Sequence, residues 1–396
     1  MASSTTVPAA ETKRKHVGLI ALLSAGFILT GFPTIIAGPI LPTFISRWNL
    51  SDSQAGLFFT VQFAASLAAV WITTGLTAWR GYRPGLVIGY VLTGIGLAML
   101  NAPTHGIALA AVAFYGMGYG LVVPPTNLAG AEAGGAGGVS LLNFAWGIGA
   151  VACAPLLSVS LRHHSLTLFL WILAAVAIAL AVSFIFAKLP ERHKDGDAAQ
   201  ANSAAGSGIP PVRITVIVAA IFFLYVGSEA GIGGWAAEHA KRLAGHATEL
   251  TTMSPLFFYA GLMVGRGLAS LLLPRIGSLR FIIAAFSLSI LGIAIIIAAH
   301  STQVAIAGFT IAGLGCATIY PIYISWFSQW YGPAARRLGG VVFSMASLGG
   351  SALPWLVGFV STKANSLPIG FLVPLAGILV MAVFVTFLRR RGLQML

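Results

Sequence analysis

Glu229 and Arg266 are an acid and a base set deep inside apolar runs of this chain, within Tyr225–Trp235 (YVGSEAGIGGW) and Gly261–Gly267 (GLMVGRG). A lone charge in such a place is costly, so it is kept where it pairs, binds an ion or lines a path for a polar solute. Glu229 can take up and release a proton. Arg266 can pair with Glu229, hold an anionic solute, or bond to backbone carbonyls. Asn143 and Gln62 add amides, which both donate and accept as hydroxyl-bearing ligands require, or which bond between helices. Trp146 lies one turn beyond Asn143. With Tyr119, Trp235, Tyr259, Tyr320, Tyr323 and Trp326 it forms a set of aromatics with flat apolar faces and polar tips.

Other chemistries find no support in the sequence. The glycine cluster at 134–138 lacks the following Lys-Ser/Thr of a phosphate-binding loop. His163 and His164 read as surface residues rather than metal ligands. Cys153 and Cys316 lie in apolar segments and read as small packing residues, not as a disulfide. There is no nucleophile constellation and no nucleotide-binding motif. The expectation is therefore no enzyme, no cofactor and no bound metal. The net charge of +13 suggests a nucleic-acid partner until its placement is considered.

The elements that carry these residues are membrane-spanning helices. Apolar residues make up 58% of the chain and charged residues 8%, against about 25% charged in soluble domains. So few charges cannot cover a soluble surface, and the long unbroken runs favour helices over a barrel. A span needs roughly 20 apolar residues. Twelve runs qualify, at about 17–46, 54–78, 84–102, 106–130, 138–160, 166–187, 213–237, 252–273, 279–299, 303–328, 337–361 and 367–388. The first is too long for the core of a signal peptide. It contains Gly31-Phe-Pro33 and Gly38-Pro39, which predict a kink. Ser51 to Gln54 read as a capping box at the start of the second span. Charges followed by an Ala/Gly/Ser stretch and Pro210-Pro211 mark a linker. The expected division is a tail at 1–16, a six-helix bundle at 17–190, a linker at 191–212 and a second bundle at 213–396.

With the N-terminus in the cytoplasm, sixteen of the 22 Lys and Arg fall in cytoplasmic segments. They are Lys13 to Lys15, Arg80, Arg83, Lys188, Arg192, Lys194, Arg213, Arg275, Arg280, Arg336, Arg337 and Arg389 to Arg391. Five fall opposite: Arg47, Arg162, Lys241, Arg242 and Lys363. This bias predicts both termini in the cytoplasm. The basic pI is thus a topology device facing the bilayer, not a nucleic-acid footprint.

The two halves repeat. Gly116-x-Gly118-x5-Pro124 recurs as Gly313-x-Gly315-x5-Pro321, an offset of 197 residues. Gly149 with Pro155 matches Gly349 with Pro354, and Leu57-Phe-Phe matches Leu256-Phe-Phe, at offsets of about 200. Parallel six-helix repeats are the plan of the major facilitator superfamily.

The chain resembles that superfamily over almost its whole length. Gly75 to Arg83 is similar to its loop signature, keeping Gly75, Arg80 and Arg83 but no acid. Leu273-Pro-Arg275-Ile-Gly277 resembles the second copy. The resemblance implies that Arg80, Arg83 and Arg275 belong to a cytoplasmic gate; Glu132, at the cytoplasmic end of the fourth span, reads either as a solvated loop charge or as a stand-in for the missing acid. Within the superfamily the chain most resembles the fucose-permease-like sugar:proton symporters. The resemblance rests on Gly38 to Phe44, on Leu142-Asn143 through Gly149-Ala150 to Pro155-Leu156, on Tyr225 to Trp235 and on Gly261 to Arg266. It implies an all-α membrane protein of twelve helices in two bundles and a monomer in the inner membrane. The activity it implies is secondary transport of a neutral sugar-like solute by alternating access, often driven by protons. The fucose permease for which the group is named carries acids near what are here Gly38 and Leu121, so Glu229 alone is left as the proton site. Solute binding then falls to Asn143, Trp146, Gln62, Tyr119, Trp235, Tyr259, Tyr320, Tyr323 and Arg266. Two alternatives stay open at this point: an uncoupled sugar facilitator, and a proton-driven exporter of amphipathic or anionic compounds.

Overall fold

The computed structural model describes residues 9–190, 212–331 and 335–390. Every regular element among them is a helix. In chain order they are α1 (Ala9–Ile35), α2 (Ala37–Trp48), α3 (Asp52–Arg80), α4 (Tyr82–Met99), α5 (His105–Arg162), α6 (Leu166–Phe186), α7 (Val212–Ala244), α8 (Glu249–Thr252), α9 (Ser254–Ile276), α10 (Ser278–Ala298), α11 (Thr302–Cys316), α12 (Ile319–Tyr331), α13 (Ala335–Ala364), α14 (Leu367–Gly370) and α15 (Leu372–Arg390). The expected linker falls almost entirely outside the described residues.

Ten stretches among the described residues are long and apolar enough to cross a membrane. Two further helices, α4 and α9, occupy the third and eighth expected spans outside those ten, and the opening Tyr82-Arg83-Pro84 lowers the apolarity of α4. A membrane helix packed among neighbours needs no continuous lipid-facing stripe, and α4 lies against α5 and α6, and α9 against α11.

The kinks fall where proline dictates. The first span breaks at Ile36, between Pro33 and Pro39, into α1 and α2. The tenth breaks between Cys316 and Ile319, just ahead of Pro321. Helix α5 holds the fourth and fifth spans, His105–Ala133 and Gly137–Arg162. Its 58 residues would reach about 87 Å if straight, nearly three times a bilayer core. It doubles back at its glycines: a Cβ on Gly138 would lie 2.5 Å from the carbonyl oxygen of Gly130. The expected capping box is present, with Ser51 Oγ accepting from Gln54 N and Gln54 Oε1 accepting from Ser51 N.

The repeat read from spacing is also a repeat of packing. A Cβ on Gly116 would strike the Gln62 carbonyl of α3, and one on Gly313 would strike the Phe258 carbonyl of α9. Likewise Gly149 closes on the Ile28 carbonyl of α1, and Gly349 on the Phe223 carbonyl of α7. Each matched glycine admits a neighbouring backbone that a methyl group would exclude, which is how helices associate closely in lipid.

Candidate functional site

A cavity of about 1060 Å³ lies between the two bundles. Its walls come from α1, both legs of α5, α9 and α12. Of the residues singled out in the sequence, Asn143, Trp146, Tyr119, Tyr259, Tyr320 and Arg266 line it. Tyr119 and the pair Asn143–Trp146 face it from the first half. Tyr259, Arg266 and Tyr320 face it from the second. Asn143 is exposed to the cavity and bonds through Nδ2 to Val139 O in its own helix at 2.9 Å. Tyr320 is braced edge-on by Phe222, at 5.4 Å, and by the tilted ring of Tyr225, at 5.7 Å. Tyr259 sits over bare backbone, since a Cβ on Gly233 would lie 2.6 Å from its hydroxyl.

Glu229, on α7, is half-buried among phenols. Tyr119, Tyr225, Tyr259 and Tyr320 lie within range of its charge, and the Tyr225 hydroxyl donates to Cys316 O at 3.0 Å. Arg266 acts on Tyr225 and Tyr320 as well. The two charges do not pair directly among the described ion pairs; Tyr225 and Tyr320 lie within range of both. Arg266 is exposed to the cavity and donates through Nε to Ala317 O at 3.4 Å.

Three of the expected solute ligands lie elsewhere. Gln62 is 4% exposed and donates through Nε2 to the carbonyls of Pro33 and Thr34 at 3.3 and 3.1 Å, bracing the break in the first span. Trp235 is fully buried and donates through Nε1 to Pro354 O at 2.8 Å. Tyr323 is 2% exposed and packs edge-on to Trp326, inside the second bundle. Trp326 is itself buried and bonds to Ser278. Both cysteines are buried free thiols.

Among the described residues, the hydrogen bonds and ring contacts of those expected to gate stay within their own halves. Arg80 lies 4.0 Å over the Trp79 ring, Arg83 donates to Ala187 O at 2.9 Å, and Arg275 caps Leu271 O in its own helix. Glu132 accepts a 2.5 Å bond from Tyr82, tying the loop after the second span to the end of the fourth.

One end of the bundles is where the halves are bonded together. Arg242 of α7 forms a two-pronged ion pair with Asp52 at the start of α3, and its Nε donates to Glu238 Oε1 at 2.8 Å. Ser361 of α13 donates to Asp52 as well. Lys241 donates to Pro42 O and Ser46 Oγ of α2 at 3.1 and 2.6 Å. Ser53 N donates to Thr362 Oγ1 at 2.9 Å, Thr60 and Ser351 exchange bonds at 2.9 and 3.2 Å, and Arg162 pairs with Glu249 at 2.7 Å. Between these bonds bare backbone meets bare backbone. A Cβ on Gly38 would lie 3.1 Å from Gly234 O, and one on Gly56 2.8 Å from Trp355 Cα.

This network was missed in the sequence because α7 runs two turns past its expected end, taking Glu238, Lys241 and Arg242 into a helix. Their i, i+3, i+4 spacing was the available signal. Glu229 is accordingly not alone among acids in a span. Glu238 is 3% exposed and Asp52 8%.

Two six-helix bundles of matching internal packing, joined at one end around a cavity, make up the major facilitator fold. No family model matches the chain. Over most of its length it is similar to a putative glucose/galactose transporter of Helicobacter pylori (strain ATCC 700392 / 26695), at 23% identity over 382 residues, covering 88% of this chain and 90% of that protein. It is similar to the L-fucose-proton symporter of Escherichia coli (strain K12) at 22% identity over 421 residues, covering 96% and 94%. Among solved structures, a D-xylose-proton symporter matches with a TM-score of 0.72 at 17% identity, over 92% of this chain and 97% of that one. FucP in the outward conformation matches with 0.61 at 18%, over 94% and 99%. An inward-facing, occupied bacterial homolog to the human lysosomal transporter Spinster matches with 0.74 at 16%, over 94% and 97%.

Proposed function

We propose that this chain is a secondary transporter that moves a neutral, sugar-like solute across a bacterial inner membrane by alternating access. The observation that carries the reading is the one-ended cavity. Its walls pair amides and phenols with aromatic faces, as polyhydroxyl solutes require, while bonds between the halves gather at the opposite end. The relatives named for glucose, galactose and fucose support a sugar as the cargo. The excess of Lys and Arg at the end carrying the termini supports a cytoplasmic location for both. The cavity then opens inward and the ionic seam faces outside. The unit of transport is the monomer, since the site is complete within one chain.

In this reading Glu229 is the proton site, read out by the tyrosines it shares with Arg266. The test is transport by Glu229→Gln in liposomes. Counterflow that survives while proton-driven accumulation disappears supports it; unchanged pH-driven uptake overturns it. A second reading, an uncoupled facilitator, is favoured by the absence of any carboxylate among the described residues of the cavity wall. Flux insensitive to a pH gradient in the unaltered protein would select it. A third, an exporter of anionic or amphipathic compounds, draws on the exposed Arg266, and a thermal-shift screen of sugars, carboxylates and drugs discriminates it.

A further inference from the structure

The ionic cluster at the outer end holds two carboxylates on one guanidinium, and they stand on opposite sides of the seam. Asp52 belongs to the first bundle and takes both Nη groups of Arg242. Glu238 belongs to the same helix as Arg242, one turn earlier, and takes Nε. An outward-open state must separate Asp52 from Arg242, because α3 and α7 lie in different bundles. It need not separate Glu238 from Arg242, because no helix has to change for that pair to persist.

We infer that Glu238 is the resident counter-ion of the outer gate: it keeps Arg242 compensated while Asp52 leaves, and so favours opening, whereas Asp52 favours closure. Two effects act in the same direction. Glu238 is the buried member, 4% exposed in its side chain, and the half-exposed Arg242 stays paired with it when Asp52 leaves, so opening strips neither charge of its last partner. Glu238 also repels Asp52, with which it shares the cluster, and that repulsion is relieved when the seam parts. Asp52, at the first turn of α3, moves into water beside a helix N-terminus, a place that suits a carboxylate. Lys241, 3.9 Å from Glu238 Oε2, is committed to Pro42 and Ser46 across the seam and so belongs to the closing side. The other carboxylate of this surface, Glu249, pairs with Arg162 at the rim.

The inference rests on the transporter reading only for the word gate, and its test needs no solute. In a Cys153→Ser/Cys316→Ser background, Thr60→Cys places a reporter thiol under the seam, where Thr60 is half-buried and bonded to Ser351. Its alkylation by a membrane-impermeant maleimide added outside measures seam opening. Against this reference, Asp52→Asn should raise the rate about tenfold, and Glu238→Gln should lower it by about threefold. Glu238→Asp, which draws the carboxylate back by one methylene, should lower it in the same direction and guards against a Gln variant that does not accumulate. Opposite signs for the two acids support the inference, since a merely structural role would move both alike. Faster alkylation in the Glu238 variants, or no change in either, overturns it. Sugar flux is measured separately on the same vesicles: opposite alkylation signs without flux support the gate and count against transport alone.

Discussion

Arg266 Nε donates to the carbonyl of Ala317, four residues before Pro321. A proline has no N–H, so the carbonyl four residues earlier loses its helical partner. The first half meets the same defect differently: Leu121 O, left open by Pro125, accepts from Thr73 Oγ1 at 3.1 Å. One bundle mends a proline break with a hydroxyl and the other with a charge. This gives Arg266 two duties, as a brace for the break between α11 and α12 and as the charge on the cavity wall.

Replacing Arg266 separates those duties. Arg266→Ala leaves Ala317 O unpaired, a loss of about 1–3 kcal/mol read as a lowered thermal unfolding temperature in detergent. Arg266→Gln keeps an N–H donor and should recover much of the unfolding temperature. If the charge serves only the brace, sugar uptake recovers with it.

The cavity tyrosines should act on affinity and the buried ones should not. Tyr119→Phe and Tyr320→Phe each remove a hydroxyl at the wall, and a lost hydrogen bond of about 0.5–1.5 kcal/mol weakens binding roughly 2- to 13-fold. The transport KM reads this. Tyr323→Phe should leave KM unchanged, since the Tyr323 hydroxyl is buried away from the cavity and has no hydrogen-bond partner among the described residues.

Matched glycines should fail alike. Gly116→Ala and Gly313→Ala each drive a methyl group into a neighbouring carbonyl, an overpacking of about 1–3 kcal/mol. Both should lower the unfolding temperature by similar amounts. A large fall for one and none for the other would contradict equivalent packing in the two halves.

Gln62 was expected at the cavity and serves the break in the first span, so Gln62→Ala should destabilise rather than weaken binding. Its two bonds to Pro33 and Thr34 carbonyls are worth about 1 kcal/mol each. A raised KM with unchanged unfolding would return Gln62 to the solute.

Long apolar runs, a shared offset of glycines and prolines, and a charge bias make the bundles legible from residues alone. Rotation about each helix axis is not legible. Tyr320 and Tyr323 are three residues apart, yet one faces the cavity and the other the interior of its bundle; their spacing is the same whichever way the helix is turned. Asn143 and Trp146 share that spacing, and both reach the cavity. The outer network stayed hidden for a different reason. Asp52 and Arg242 are 190 residues apart, and local reading assigns the first to a capping box and the second to a loop. Only the closure of one bundle on the other brings them together.

Gly38 against Gly234, and Gly56 against Trp355, give the outer seam a close mechanical fit between its bonded side chains. At these glycines themselves closure freezes no rotamers, so they add contact without side-chain entropy cost. Such a joint has no slack. A single methyl on Gly56 would act as a wedge, propping the outer face ajar without touching the cavity, and would give a handle for trapping the opposite state of the cycle.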